Sequence, residues 1–259
     1  MAETLPLESM YRGRTLDVGH RGASAYAPEN TLKSFLLAMA QGADGIELDV
    51  WLSSDGVPVV IHDEDPARTT NGTGDVTLMT LEAIQAFDAG QGERIPTLDE
   101  VFTALPDTAF VNVELKHKWD DIDESVGPAV QDVGNALERT VLDVLEKHGA
   151  IPRVIVSSFN PFSLIAMREL SKDIALGYLS QAGSDFSSVL AGIEFQALHP
   201  EHPDVTAEYM AQARARGKRV NVWTVNDAAR MAELRDLGVD GIISNHPDIV
   251  RRVLDQGKR

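Results

Sequence analysis

The stretch Gly45–Asp63, GIELDVWLSSDGVPVVIHD, decides how this chain is read. Its first eight residues read as a strand, in which successive side chains leave opposite faces. Ile46, Leu48 and Val50 share one face, and Glu47 and Asp49 share the other. The apolar face suits a cover of helices. The acidic face is costly to bury unless something neutralises it. Beyond the strand, Asp55-Gly56 between two β-rich runs signals a hairpin. Taken as a two-residue loop, it sets Ser54 opposite Val57 and, counting back, Asp49 opposite His62.

Strand-like runs recur on both sides of this stretch. They fall at Leu16–Gly19, Gly45–Leu52, Phe110–Leu115, Val154–Ser157, Ala175–Leu179, Gln196–His199, Val220–Val225 and Gly241–Ser244. Helical patterns follow at Asn30–Gln41, Leu98–Leu105, Val133–His148, Pro161–Leu170, Ser187–Leu190, Thr206–Arg216, Asp227–Leu237 and Pro247–Leu254. Asn30 and Thr206 are candidate N-caps, and Gly42, Gly149, Gly217 and Gly238 stand where helices end. Strands alternating with helices imply a parallel sheet. Roughly eight such units in one chain predict an α/β fold of the TIM-type (β/α)8 barrel class, a single domain over residues 1–259. The rhythm breaks once, at residues 53–96, read as a small insertion after the second strand. It holds the hairpin, the run Thr70-Asn71-Gly72-Thr73-Gly74 and a short helix near Leu81–Ala86.

Composition narrows the function. The chain has 259 residues, 43% hydrophobic and 24% charged, enough apolar material for a large core. There is no cysteine, which excludes disulfides, thiolate metal sites and cysteine nucleophiles. The formal net charge of -17 repels nucleic acid and anionic membrane surfaces. A small anionic substrate then needs local positive charge at its site. Met1–Arg14 carries no apolar core of signal-peptide length, and no run approaches a membrane span, so no stable membrane insertion and a cytoplasmic location are expected.

Three groups of chemically capable residues fall at predicted strand ends, where such barrels place active sites. They are His20-Arg21-Gly22, Glu47-Leu48-Asp49 and Glu114-Leu115-Lys116. Glu47, Asp49 and Glu114 together offer the oxygen ligands that a hard divalent cation takes, Mg²⁺ or Ca²⁺. The same carboxylates can instead be satisfied by lysine or arginine. His20 and His62 are candidate proton carriers, since an unperturbed imidazole titrates near pH 6.5. Arg21 and Lys116 place positive charge beside the acids, as anion ligands or as salt-bridge partners. Trp223, near the end of the seventh strand, either walls a pocket or lies in the core under the helices.

These residues sit in strings that resemble the glycerophosphodiester phosphodiesterases. The strings are HRGASAYAPENT at His20–Thr31, ELDV at Glu47–Val50, DGVPVVIHD at Asp55–Asp63, VELK at Val113–Lys116, VNVWTVN at Val220–Asn226 and DGIISNHPD at Asp240–Asp248. The resemblance runs in order from about Leu16 to Leu254. It implies a TIM-type barrel related to the phosphatidylinositol-specific phospholipases C. It implies hydrolysis of glycerophosphodiesters, small-molecule substrates, to sn-glycerol 3-phosphate and an alcohol. It implies one divalent cation at Glu47, Asp49 and Glu114, an acid–base pair in His20 and His62, and phosphate contacts from Arg21 and Lys116. Glu29 is implied to orient Arg21, and Trp223 to line the glycerol pocket. One position departs from the pattern: His199 stands before Pro200 where asparagine is expected, which makes it a candidate contact to the leaving group. Two other readings use the same residues. A lysophospholipase D would want an apolar rim, to which Trp51, Trp119 and Phe186 could contribute. A non-catalytic barrel that binds phosphate esters would tolerate decay of the histidines or acids, and all are present.

Overall fold

The computed structural model describes residues 8–11, 13–118, 135–184 and 194–257. Eight parallel strands close on themselves: β1 (Leu16–His20), β2 (Gly45–Leu52), β4 (Phe110–Leu115), β5 (Val154–Ser158), β6 (Ala175–Ser180), β7 (Ala197–Pro200), β8 (Arg219–Val222) and β9 (Gly241–Ser244). The seam is closed by β1, which pairs in parallel with both β2 and β9. Helices α2 (Leu32–Ala40), α4 (Leu98–Ala104), α5 (Ala136–Lys147), α6 (Pro161–Leu170), α7 (Ala207–Ala215), α8 (Ala228–Leu237) and α9 (Pro247–Gln256) cover the outside. The expected fifth helix, Ser187–Leu190, and the start of the Val133–His148 helix lie outside the described residues.

The alternation read from the sequence places the two cores. Outward residues such as Ile46, Leu48, Val50, Val111, Val113, Val156, Leu176 and Ile242 join the main cluster with the helices. Fully burying such a side chain stabilises by about 1.5–3 kcal/mol, so each strand's outward row holds its helix. Inward residues Leu16, Val18, Phe110, Ile155, Ala175, Ala197 and Ile243 form a second cluster inside the barrel. The short helix α1 (Glu8–Tyr11) adds Tyr11, fully buried, to that inner cluster. Inward glycines make room there. A Cβ on Gly177 would stand 2.6 Å from His199 Nε2, and one on Gly45 would stand 2.0 Å from the Phe110 carbonyl oxygen.

Capping follows the sequence with one change. Thr206 caps α7 as expected, but Thr31, not Asn30, caps α2, with Ser34 completing a capping box. Asn30 lies outside the helix at φ +56°, a conformation asparagine tolerates better than most residues. Its side chain is thereby released for another use.

The hairpin forms in a different register from the expected one. Strand β3 (Pro58–Val60) pairs antiparallel with β2, with Val50 opposite Val60 and Leu52 opposite Pro58. Ser53 N–H donates to the Val57 carbonyl, so the loop is Ser54-Asp55-Gly56, three residues long. Only Gly56, at φ +78°, takes the left-handed conformation. A two-residue type I′ loop needs both central residues there. Asp55 is held otherwise, accepting from Ser53 Oγ at 2.7 Å and from Leu81 N–H at 2.9 Å. Asp49 therefore stands opposite Ile61, whose N–H reaches the Asp49 carbonyl at 3.1 Å, and His62 lies beyond the ladder. Trp51, Val59 and Ile61 pack with Val76, Ile84 and Ile95 into a small core of their own, which includes residues of α3 (Leu81–Gln85). Trp51 is thus buried and forms no part of an exposed apolar rim. Trp119 and Phe186 lie outside the described residues.

Candidate active site

Inward alternation at the carboxyl ends of β1, β2 and β4 brings the expected residues together. The register sets His20 beside Glu47, Glu47 beside Asn112, and Asp49 beside Glu114. One ligand oxygen from each of Glu47, Asp49 and Glu114 lies within 4.8 Å of the others. All three carboxylates are buried. Glu47 and Glu114 line the floor of a cavity of about 270 Å³, with His20, Arg21, His62 and Lys116 around them and Phe159 and Trp223 on its wall, and Asp49 is buried behind that floor.

Opposite charge is supplied from the same strands and the loop after β1. Arg21 takes φ +53°, and its backbone N–H donates to Glu47 Oε2 at 2.9 Å. Its guanidinium Nε lies 3.2 Å from Asp49 Oδ2, and Nη1 donates to Glu29 at 2.8 Å. Lys116 Nζ donates to Glu114 Oε1 at 2.7 Å and stands 3.5 Å from Asp49 Oδ1. Asn30, released from the helix cap, donates its amide to Asp49 Oδ2 at 2.8 Å.

The charges settle unequally. Burial, Asp49 and Glu114 push the Glu47 carboxyl well above the usual range. Burial also lifts Glu114, against the pull of Lys116. Burial would lift Asp49 too, but Lys116 and Arg21 outweigh it and hold that carboxyl below the ordinary carboxylate range. Ion pairing therefore keeps Asp49 charged and leaves its neighbours unsettled. Asp49 Oδ1 and Asn112 Oδ1 are buried without a hydrogen-bond partner. Three converging carboxylates, two of them strained toward protonation, and an orphaned carboxylate oxygen fit a hard divalent cation.

The two histidines meet different partners. His20 Nδ1 lies 2.6 Å from Asn245 Oδ1, and its Nε2 lies 4.0 Å from Glu47. Burial and Arg21 lower its pKa to about 4. His62 Nδ1 lies 2.5 Å from the Asp63 carboxylate, and its backbone carbonyl accepts from Trp51 Nε1. Burial, Lys116 and Arg21 lower the His62 pKa as well, against Asp49 and Asp63. His62 thus reaches the cavity by a path other than the expected cross-strand pairing.

Trp223 lines the cavity, 5.5 Å from the Phe159 ring in an edge-on contact, with its Nε1 donating to the His199 carbonyl at 2.7 Å. That settles its position as a wall above the inner core. His199 does not meet the expectation placed on it. Its side chain is fully buried inside the barrel, against Asn221 at 3.0 Å, and burial lowers its pKa to about 3. It is not among the residues that line the cavity. Asn30, Asp63, Arg68, Phe159 and Asn245 belong to the site but were not singled out from sequence. Placement within the quoted strings could have suggested three of the five, Asn30, Asp63 and Asn245.

Comparison with known proteins agrees with this geometry. The model of the glycerophosphoryl diester phosphodiesterase family matches residues 20–249. A glycerophosphodiester phosphodiesterase of Caldanaerobacter subterraneus is 38% identical over 253 residues, covering 94% of this chain and 99% of that protein. Among solved structures, a phosphodiesterase of Oleispira antarctica in complex with the product sn-glycerol-3-phosphate superposes with a TM-score of 0.82 at 31% identity, covering 95% and 99% of the two chains. A glycerophosphodiester phosphodiesterase of Thermotoga maritima superposes with a TM-score of 0.74 at 29% identity, covering 93% and 99%. With its barrel, its buried acidic cluster and its ordered strings, this chain belongs to the glycerophosphoryl diester phosphodiesterase family.

Proposed function

We infer that the chain is a divalent-metal-dependent phosphodiesterase that hydrolyses glycerophosphodiesters to sn-glycerol 3-phosphate and an alcohol. The observation that carries this reading is the convergence of three buried carboxylates, two of them on the cavity floor, with two cations and two histidines that line the same cavity. Glu47, Asp49 and Glu114 would hold the cation, Mg²⁺ or Ca²⁺, because all their donors are hard oxygens. When bound, such a cation supplies Lewis-acid polarisation of a phosphoryl oxygen.

The chain's own residues do the rest. Arg21 and Lys116 face the cavity and offset the charge that concentrates on the phosphoryl oxygens in the transition state. His20 acts as base. With Nδ1 donating to the neutral Asn245 amide oxygen, Nε2 keeps its lone pair toward the cavity and takes the nucleophile's proton. His62 acts as acid. The Asp63 carboxylate stabilises its imidazolium, and a bound phosphodiester anion offsets Lys116 and Arg21, which otherwise disfavour that charge. The new P–O bond forms to the nucleophile, the bond to the leaving alcohol breaks, and His62 gives that oxygen its proton. Trp223 and Phe159 supply an apolar wall for the carbon skeleton.

The test is release of sn-glycerol 3-phosphate from glycerophosphocholine. Release that stops with chelator and returns with Mg²⁺ or Ca²⁺ is the expected result. Absence of release with either ion overturns the reading.

A further inference from the structure

Thr70-Asn71-Gly72-Thr73-Gly74 and the residues just before it have no part in the cavity wall, yet they are built with care. Asp65 caps a 3-10 turn at Pro66–Arg68 and also accepts from Gly74 N–H at 3.1 Å and Thr73 Oγ at 3.2 Å. Thr70 Oγ donates to the Pro66 carbonyl at 3.0 Å. Gly72 lies so near Phe87 that a Cβ there would meet the ring at 2.3 Å. The loop folds back on itself and delivers one side chain, Arg68, to the edge of the site.

Arg68 uses its whole guanidinium there. Nη1 and Nη2 donate to the two oxygens of Glu29 at 3.0 and 2.8 Å, and Nε donates to Asp63 Oδ2 at 2.5 Å. The other oxygen of Asp63 holds His62, and Glu29 Oε1 also holds Arg21. One arginine thus ties the proton carrier to the phosphate-facing cation through two carboxylates. Both carboxylates sit below the usual range, Glu29 against burial and through Arg68 and Arg21, and Asp63 against burial and through Arg68 and His62. A planar fork can grip Glu29 bidentately and still reach Asp63 from Nε, which a lysine's single ammonium cannot.

On the reading above, we propose that Arg68 is a positioning residue that holds His62, through Asp63, and Arg21, through Glu29, in one fixed geometry. It touches neither substrate nor metal. The segment 53–96, proposed as an insertion, then has a role in the reaction besides its own packing.

The two arms have different signatures. The Asp63 arm acts on proton donation, so it matters for an alkoxide that needs a proton and little for an aryl oxide that leaves without one. The Glu29 arm acts on phosphate grip, which both substrates share. The test compares glycerophosphocholine with a glycerophosphodiester bearing a 4-nitrophenol leaving group. Arg68→Ala is expected to lower kcat about 10- to 100-fold on the first, part of the range a positioned acid contributes, to lower it less than about 3-fold on the second, and to raise KM for both. Asp63→Asn should show the same substrate-selective loss of kcat, with little further loss when Arg68→Ala is added. Glu29→Gln should reproduce the KM change. Arg68→Lys should retain part of the effect of one arm.

Equal losses on both substrates, or additive losses with Asp63→Asn, overturn the proposal. If Arg68→Ala does not melt cooperatively, Arg68→Lys carries the comparison. Imidazole N–H resonances keep this test separate from the activity itself. The His62 Nδ1 proton should be exchange-protected in the wild type and lose protection in Arg68→Ala. Unchanged protection overturns the brace even in a protein that releases no glycerol 3-phosphate.

Discussion

Two arcs of the same barrel mouth share a backbone plan and differ in almost everything else. Along β1, β2 and β4 the inward residues are His20, Glu47, Asp49, Asn112 and Glu114. From β5 to β9 they are Ser157, Leu179, His199, Asn221 and Ile243, with Trp223 just past β8. The first arc gathers charge, and the second gathers shape. Burying a charge is costly without a partner, and only the first arc has partners at hand in Arg21, Lys116 and Asn30. Histidine shows the contrast within one residue type. His20 and His62 open on the cavity, each braced by an oxygen acceptor, whereas His199 is sealed among neutral groups with Nδ1 unpartnered.

The largest expected effect sets those histidines against each other. His20→Ala and His62→Ala should each lower kcat by about 10²–10⁴-fold, the contribution of a positioned acid or base, with the fold intact by circular dichroism. His199→Ala should leave kcat within about threefold and lower Tm instead, because it opens a cavity in a packed core. A His199 variant that loses turnover while keeping its Tm would erase the distinction between the arcs.

The next test asks whether the acidic arc is built for a cation. Without metal, Glu47, Asp49 and Glu114 repel in a buried site, so Glu47→Gln should melt no lower than wild type in chelator. With Mg²⁺ or Ca²⁺ the order should reverse. Wild type gains RT ln(1 + [L]/Kd), about 2.7 kcal/mol at a hundredfold excess over Kd, and the variant gains less. Melting curves with and without metal decide it, and an equal metal-induced shift in both proteins would remove Glu47 from the ligand set.

The shape-determined arc has its own probe. A Cβ on Gly177 would press on His199 at 2.6 Å. Gly177→Ala should therefore cost about 1–3 kcal/mol by overpacking, read from denaturant unfolding. Substrate KM should change little, because His199 lies below the cavity. A stable Gly177→Ala protein with a raised KM would mean that this arc tunes binding directly.

Asp17 extends the comparison to the outward face of β1. It is fully buried, neither carboxylate oxygen has a hydrogen-bond partner, and burial raises its pKa to about 8, against the pull of Arg251. An unfolded chain titrates aspartate near 3.9. Between about pH 4 and pH 8 the folded protein therefore holds a proton that the unfolded chain releases, and stability falls as pH rises. Asp17→Asn, which cannot ionise, should flatten that dependence, so that its stability relative to wild type rises between about pH 4 and pH 8. Activity at neutral pH should stay near that of wild type. A parallel pH dependence of unfolding in the two proteins would show that Asp17 finds a partner on folding.

Much of this is legible in the sequence, because alternation is a local property. Whether Glu47 and Asp49 face in or out follows from the strand's period of two and the apolar row between them. The same period puts Glu114 inward and identifies the side that the helices cover. The barrel followed from repeated strand–helix units, and the reactive strings from their places at strand ends.

The rest depended on where distant segments return. The hairpin slipped one position because Asp55 bonds Ser53 and Leu81 instead of adopting a left-handed turn, a choice made by contacts 26 residues apart. Asn30 left the helix it was expected to cap because Thr31 and Ser34 cap it, and Asp49, 19 residues later, takes its amide. Arg68 meets Glu29 across 39 residues of chain, a pairing that no period encodes. Sequence by itself determined which face of each strand is apolar and which residues carry charge, since those depend on neighbours along the chain. Tertiary structure alone decided which charges meet, which histidine is sealed and which arginine braces the site, since a hydrogen bond reaches about 3 Å and only the closed barrel brings its ends that near.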